Sequence, residues 1–278
     1  MYIWQVDFYR RPLKDKAGQV LWELLVCDAN GSLNYSAFCP QSQANVNWLV
    51  EELQKVDRGK LPDLIQVFRS PALSLIETAA KNLKITVEAT RYTPALKQYL
   101  QQRAAEYIYL ETYTGEAYNP LAIDKPPPLP LPEKLWGENW RFATISAGNL
   151  IEIFAEKPIP IRSMPEYLLP INLGLASTVA IPGVIIYGGR QAMRLAQWLQ
   201  ENSPVTLNYI TGEPDGLILE SSLVDRWIIA TFTDKEVSKA AQVYEDRKKL
   251  TKGLHFFLVQ PDDTGMTYSG FWLLGEVG

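Results

Sequence analysis

Residues 20–38, Val20-Leu21-Trp22-Glu23-Leu24-Leu25-Val26-Cys27-Asp28-Ala29-Asn30-Gly31-Ser32-Leu33-Asn34-Tyr35-Ser36-Ala37-Phe38, read as a β-hairpin. Two strand-like runs, 20–27 and 32–38, flank Asp28-Ala29-Asn30-Gly31, a turn composition suited to joining antiparallel strands. A third strand-like run at 2–9 precedes them, so the chain is expected to open as an antiparallel meander.

The period then changes. Val46, Leu49, Val50 and Leu53 recur at helical spacing within 42–56. A short apolar strand at 64–68 follows, and Ser70-Pro71 gives the cap-then-proline order of a helix start. A strand at 85–88 leads to a helix from Thr93-Pro94 to about Tyr107. Three strands, helix, strand, helix, strand, helix is the element order of a ribonuclease H-like α/β domain, in which the first strand lies centrally and later strands add beside it in parallel.

Working outward, Asp124-Lys125-Pro126-Pro127-Pro128-Leu129-Pro130-Leu131-Pro132 holds five of the nineteen prolines. Such a stretch is a stiff, extended spacer that enters neither helix nor central strand. It divides the chain into an amino-terminal α/β domain at 1–110, a proline-rich linker at 111–134 and a carboxyl-terminal mixed α/β domain at 135–278. In the last part strands are expected at 140–146, 179–187, 205–210, 216–221, 227–232, 254–260 and 269–275. Helices are expected at 149–155, after Gly188-Gly189, and at 234–249.

The 47% apolar and 21% charged content is that of a folded globular protein. No apolar run approaches the roughly 20 residues that span a bilayer, and the amino terminus lacks a basic segment followed by an apolar one, so no membrane insertion and a cytoplasmic location are expected. Cys27 and Cys39 read as reduced core thiols. A net charge of −4 argues against a broad basic surface that coats duplex DNA. It leaves room for a local basic groove holding single-stranded RNA, with 8 Trp and 14 Tyr available for stacking. Through Leu110 there are thirteen Lys/Arg against eleven Asp/Glu, and beyond it fourteen against twenty, which favours a positive surface on the first domain.

A ribonuclease H-like nuclease needs carboxylates that hold two metal ions. Asp7 on the first strand fits, and Glu51 or Glu52 on the first helix is a possible second acid, but the fourth strand ends in Phe68-Arg69-Ser70, a cation where an acid is required. His255 is the one histidine and reads as a strand residue whose ring packs or hydrogen-bonds locally; no Gly-x-Ser-x-Gly elbow presents a serine. The two cysteines and remote histidine lack zinc-ligand spacing, and no metal or cofactor is expected. Gly188-Gly189-Arg190 reads either as a phosphate-binding turn or, more simply, as a tight turn, because it lacks the further glycine of a dinucleotide fingerprint.

Basic residues form three groups. Arg10-Arg11 with Lys14 and Lys16 reads as a solvated hairpin loop. Arg247-Lys248-Lys249 with Lys252 reads as cations at a helix carboxyl end. Arg69 and Arg91 end two neighbouring strands, where ligands of open α/β sheets bind.

Several phrases together resemble one family: Trp22-Glu23-Leu24-Leu25-Val26-Cys27-Asp28, Phe68-Arg69-Ser70, Leu131-Pro132-Glu133-Lys134-Leu135-Trp136-Gly137-Glu138, Gly253-Leu254-His255-Phe256 and Gly270-Phe271-Trp272-Leu273-Leu274. In order and spacing they are similar to the Tab-type RNA-binding proteins of cyanobacteria and chloroplasts, named for translation of the photosystem I subunit PsaB. The resemblance implies a non-enzymatic factor that binds the 5′ untranslated region of messenger RNA and supports translation or assembly of photosystem subunits. It also implies an RNA-binding role for Trp272, Leu273 and Leu274, whereas the same residues read on their own as an apolar core strand. The plastid members carry a transit peptide that this sequence lacks, which again points to a bacterial-type cytoplasm.

The leading expectation is therefore single-stranded RNA binding, with Arg69, Arg91, Arg247, Lys248, Lys249 and Lys252 on phosphate and aromatics on bases. The alternatives are a protein-interaction factor that clasps photosystem subunits, and a residual nuclease using Asp7 with Glu51 or Glu52.

Overall fold

The computed structural model describes residues 1–155 and 157–276. Backbone contacts divide the chain into two compact units, Met1–Asp124 and a second from Lys125 onward, each with its own core.

The first unit opens with β1 (Ile3–Lys14), β2 (Val20–Asp28) and β3 (Asn34–Pro40), paired antiparallel through Val6↔Val26 and Leu25↔Ser36. α1 (Val46–Leu53), β4 (Leu64–Val67), α2 (Ser70–Asn82), β5 (Thr86–Ala89) and α3 (Pro94–Tyr107) follow. The sheet order is β3-β2-β1-β4-β5, with β4 parallel to β1 and β5 parallel to β4. The first strand is thus central and later strands add beside it in parallel, as the element order led one to expect.

Strand alternation decides the layers. Trp4, Val6 and Phe8 turn toward Leu49 and Leu53 of α1 and Ala72 and Ile76 of α2. On the opposite face Leu25 and Cys27 pack with Leu96 and Leu100 of α3. α1 begins later than its apolar spacing predicts because Asn45 caps it, accepting the Trp48 N–H at 3.1 Å.

One local reading needs correction. Arg10, Arg11 and Lys14, expected in a solvated loop, belong to β1, and Arg11 is 3% exposed. The hairpin loop proper starts at Asp15, whose carboxylate accepts the Ala17 and Gln19 N–H groups.

The second unit holds β6 (Leu129–Pro130), β7 (Asn139–Ser146), α4 (Ala147–Ala155), β8 (Ile161–Ser163), β9 (Ala180–Tyr187) and α5 (Ala192–Asn202). β10 (Pro204–Ile210), β11 (Asp215–Ser221), β12 (Asp225–Phe232), α6 (Lys235–Leu250), β13 (His255–Gln260) and β14 (Gly270–Leu274) complete it. Two mixed sheets result, β10-β11-β12-β6 and β7-β9-β13-β14-β8. One face of the latter packs with α5 and the former sheet, and the other with α4 and the segment around Leu168.

The stretch 111–134 is not a free spacer. Thr112 accepts the Lys14 N–H, Tyr113 bridges to Leu13, and the carbonyls of Pro120 and Ala122 accept from Arg69, so its first half straps the first unit. Its second half supplies β6, parallel to β12, and the buried Leu131 of the second core. No helix among the described residues is long and apolar enough to cross a membrane.

Candidate nucleic-acid interface

On the α3 face of the first sheet, Asp7, Tyr9 and Arg11 share the odd-numbered side of β1. Asp7 Oδ1 accepts from Arg69 Nε at 3.0 Å and its Oδ2 from Arg11 Nη2 at 2.9 Å. Arg11 also donates to Glu23 Oε2 at 3.0 Å and to the Tyr118 hydroxyl at 3.0 Å. Glu23 is further held by Arg103, 2.6 Å from Nη2 to Oε1, and by the Tyr107 hydroxyl. Charge-assisted bonds of this kind satisfy carboxylates that would be costly to bury alone.

Three guanidiniums thus meet two carboxylates below the carboxyl ends of β1 and β4. Arg11 and Arg69 of this network also line a pocket of about 470 Å³, together with Tyr9, Arg10 and Lys14 among others, closed on one side by residues 114–124. Arg69 stacks on the Tyr9 ring at 4.4 Å and on Phe68 at 4.8 Å. Arg10 and Lys14 are exposed at the rim, as are Glu116 and Asp124.

The sequence-predicted residues are placed as follows. Arg69 is 4% exposed and its guanidinium is taken up by Asp7, Pro120 and Ala122, so it orders the pocket and does not face solvent. Arg91 is 7% exposed. Lys248 is 8% exposed and donates to Leu207 O, Asn208 Oδ1 and Glu245 Oε1, while burial lowers its pKa. Arg247, Lys249 and Lys252 are exposed at the end of α6, with Lys249 paired to Asp246 and Lys252 donating to Leu173 O. Trp272, Leu273 and Leu274 stand on β14 between β13 and β8, at 3%, 2% and 1% exposure, and offer no ring face on which a base could stack.

The two-metal reading meets a geometric obstacle. Asp7 already has a guanidinium on each oxygen, and α1, which carries Glu51 and Glu52, packs on the opposite face of the sheet. Glu52 is engaged by Tyr35 and Lys55. No group of three or more His, Cys, Asp and Glu that could hold a metal is found among the described residues.

Gly188 and Gly189 form a tight turn. Their N–H groups go to the carbonyls of Gln260 and Pro261, and the Glu138 carboxylate lies against Gly189, so an anion is not received there. His255 is buried: Nε2 accepts the Leu207 N–H at 2.9 Å and Nδ1 donates to Gly253 O at 2.8 Å. Burial, then the charge of Lys248, pushes its pKa down to about 3. Cys27 and Cys39 are buried free thiols raised to about 12 and about 11 by burial.

Sequence reasoning missed Arg11, Glu23, Arg103 and Tyr118. The signal for Arg11 was its spacing of four from Asp7, which on a strand places both on one face.

The family model described as RNA-binding protein Tab2/Atab2 N terminal matches residues 3–103, and that of the C-terminal domain matches residues 118–275. A protein from Arabidopsis thaliana called Protein TAB2 homolog, chloroplastic, is 32% identical over 98% of this chain and 74% of its own length. The homolog of the same name from Zea mays is 29% identical over 98% of this chain and 70% of its own. The catalytic core domain of BIV integrase superposes with a TM-score of 0.27 at 18% identity, over 42% of this chain and 74% of that one, and adds no argument about the fold. The chain belongs to the Tab2/Atab2 family of RNA-binding proteins.

Proposed function

We propose that this protein binds the single-stranded 5′ leader of photosystem-subunit messages and supports their translation and photosystem biogenesis without catalysis. A cytoplasmic location belongs to the same reading; the relatives are named as chloroplastic. The observation that carries this reading is the pocket of about 470 Å³ that brings Arg10, Arg11, Lys14 and Arg69 together beside Tyr9. That volume lies within the roughly 300–1,000 Å³ of small-ligand sites, enough for one nucleotide. The exposed Arg10 and Lys14 would take phosphate, and Arg69 would act indirectly by fixing Tyr9. Lys249 and Lys252, exposed at the end of α6, would supply further phosphate contacts. The amino-terminal unit is inferred to be ribonuclease H-like, supported by its β3-β2-β1-β4-β5 order.

The test is fluorescence anisotropy of full-length protein with a labelled single-stranded leader, across a salt series. Removing two phosphate contacts in R10A/K14A should lower affinity and flatten the slope of log K against log salt by about 1.4, at about 0.7 per contact on single strands. Equal affinity and slope in the folded double variant would remove this pocket from the RNA interface. No binding to any single-stranded leader would remove the reading itself.

A further inference from the structure

We propose that the free edge of β7 in the second unit is a docking site for an extended acidic peptide segment, which adds to the five-stranded sheet as another strand.

Among the described residues β9 is the one strand beside β7. The register runs Asn139↔Tyr187 to Ser146↔Ala180, and the next residue, Ala147, donates its N–H to Val179 O at 2.8 Å. Odd-numbered residues of β7 therefore turn their amides toward β9, and Phe142, Thr144 and Ser146 turn theirs to the open side. The far side of β9 agrees, because Gly188, an even-numbered residue, donates to Gln260 O beside β13. Trp140, also outward, has its N–H met by the Asn139 side chain at 2.7 Å.

Edges of this kind are ordinarily blunted by proline, by inward charge, by a bulge or by shortness. β7 is eight residues long and has no proline. Instead a groove of about 700 Å³ follows it, lined by Phe142, Ile145, Ile153 and Val243, with Arg141 and Arg247 as its charged groups and no carboxylate in the lining. Val243 of α6, one of the lining residues, is 47% exposed.

In a chain of net charge −4, a lining with two guanidiniums and no acid fits an acidic partner. The choice between peptide and nucleic acid turns on the backbone and the rings. A row of outward amides pairs with a peptide strand, the mode of β-augmentation. The aromatic rings have no open face for a base: Phe154, Tyr244 and Phe256 are 5%, 2% and 3% exposed, and Phe142 packs edge-on against Trp140.

The test is selection of a phage-displayed random octapeptide library on full-length protein, with Thr144→Pro as counter-selection. Thr144 is exposed and its N–H points outward, so proline removes the docking donor from an edge position that tolerates it. The expected peptides alternate apolar residues with Asp or Glu. Their synthetic forms should lose about tenfold or more in affinity when the acids become lysine, when every second amide on the docking edge is N-methylated, or when the protein carries Arg141→Glu. Should Thr144→Pro not fold, the methylated peptides decide the matter on wild-type protein. The proposal fails if no sequences are enriched, or if neither alternate set of N-methylations lowers affinity. It also fails if oligouridylate displaces the peptides and loses its own binding to folded Thr144→Pro, which would give the groove to nucleic acid.

Discussion

Asp7 shows at the residue scale how a buried carboxylate is held by two guanidiniums, one on each oxygen. Its side chain and that of Arg11 are fully buried, and Arg69 closes the other oxygen. Asp7→Ala would leave two buried guanidiniums without their shared carboxylate, and is expected to lower unfolding free energy by about 3–5 kcal/mol. Guanidinium chloride midpoints measure this, and an unchanged midpoint would show that the lattice does not hold the sheet. His255 makes a second residue-scale prediction. Its folded pKa of about 3 lies below the ordinary value of 6.5, so the unfolded chain binds the proton first. Its contribution is complete above the unfolded pKa and is lost as pH falls toward the folded one, at about 1.4 kcal/mol per pH unit. Between pH 7 and about pH 5 the loss should be about 2 kcal/mol, and His255→Asn should flatten that slope. His255 as a local strand residue was legible in its apolar run. Arg11 was not, because the Arg-Arg-Pro sequence and the lysines after it carry the signature of an exposed turn, and only the partner carboxylates on β1 and β2 make burial affordable.

Elements were legible in proportion to their length and the strength of their punctuation. The meander, Ser70-Pro71 opening α2 and Thr93-Pro94 opening α3 lie where caps, prolines and apolar spacing put them. β6 and β8, at two and three residues, are too short to show a period. For β6 the prolines hid a docked edge strand: both Leu129 and Pro130 pair with β12, and an edge strand is where a proline-bearing segment can join a sheet. Leu131, next along, is 3% exposed in the core with Leu135 and Leu195. Leu131→Ala should therefore destabilise the protein by about 2–5 kcal/mol, the range for emptying a buried leucine site. A free spacer would give no change in the thermal midpoint of the second unit, and that result would return 125–134 to linker status.

At the scale of the whole molecule the boundary itself is at issue. The sequence places the end of the first domain at 110 because composition changes toward proline beyond it. The structure ends the first compact unit at Asp124. What composition could not show is that residues 112–122 spend their polar groups on the first sheet: Thr112 on Lys14, the Tyr118 hydroxyl on Arg11, and the Pro120 and Ala122 carbonyls on Arg69. Three of these bonds go to buried guanidiniums, and each such bond contributes about 1.5–3 kcal/mol. A fragment of residues 1–124 is expected to unfold in one cooperative transition. A fragment of residues 1–110 should lose about 3 kcal/mol or more against it, or fail to fold, because Arg69 would retain Asp7 alone of its three acceptors. Equal urea midpoints for the two fragments would make 111–124 a tether. A large difference would instead make it the strap that keeps Arg69 against Tyr9, and so a part of any site that uses the pocket between them.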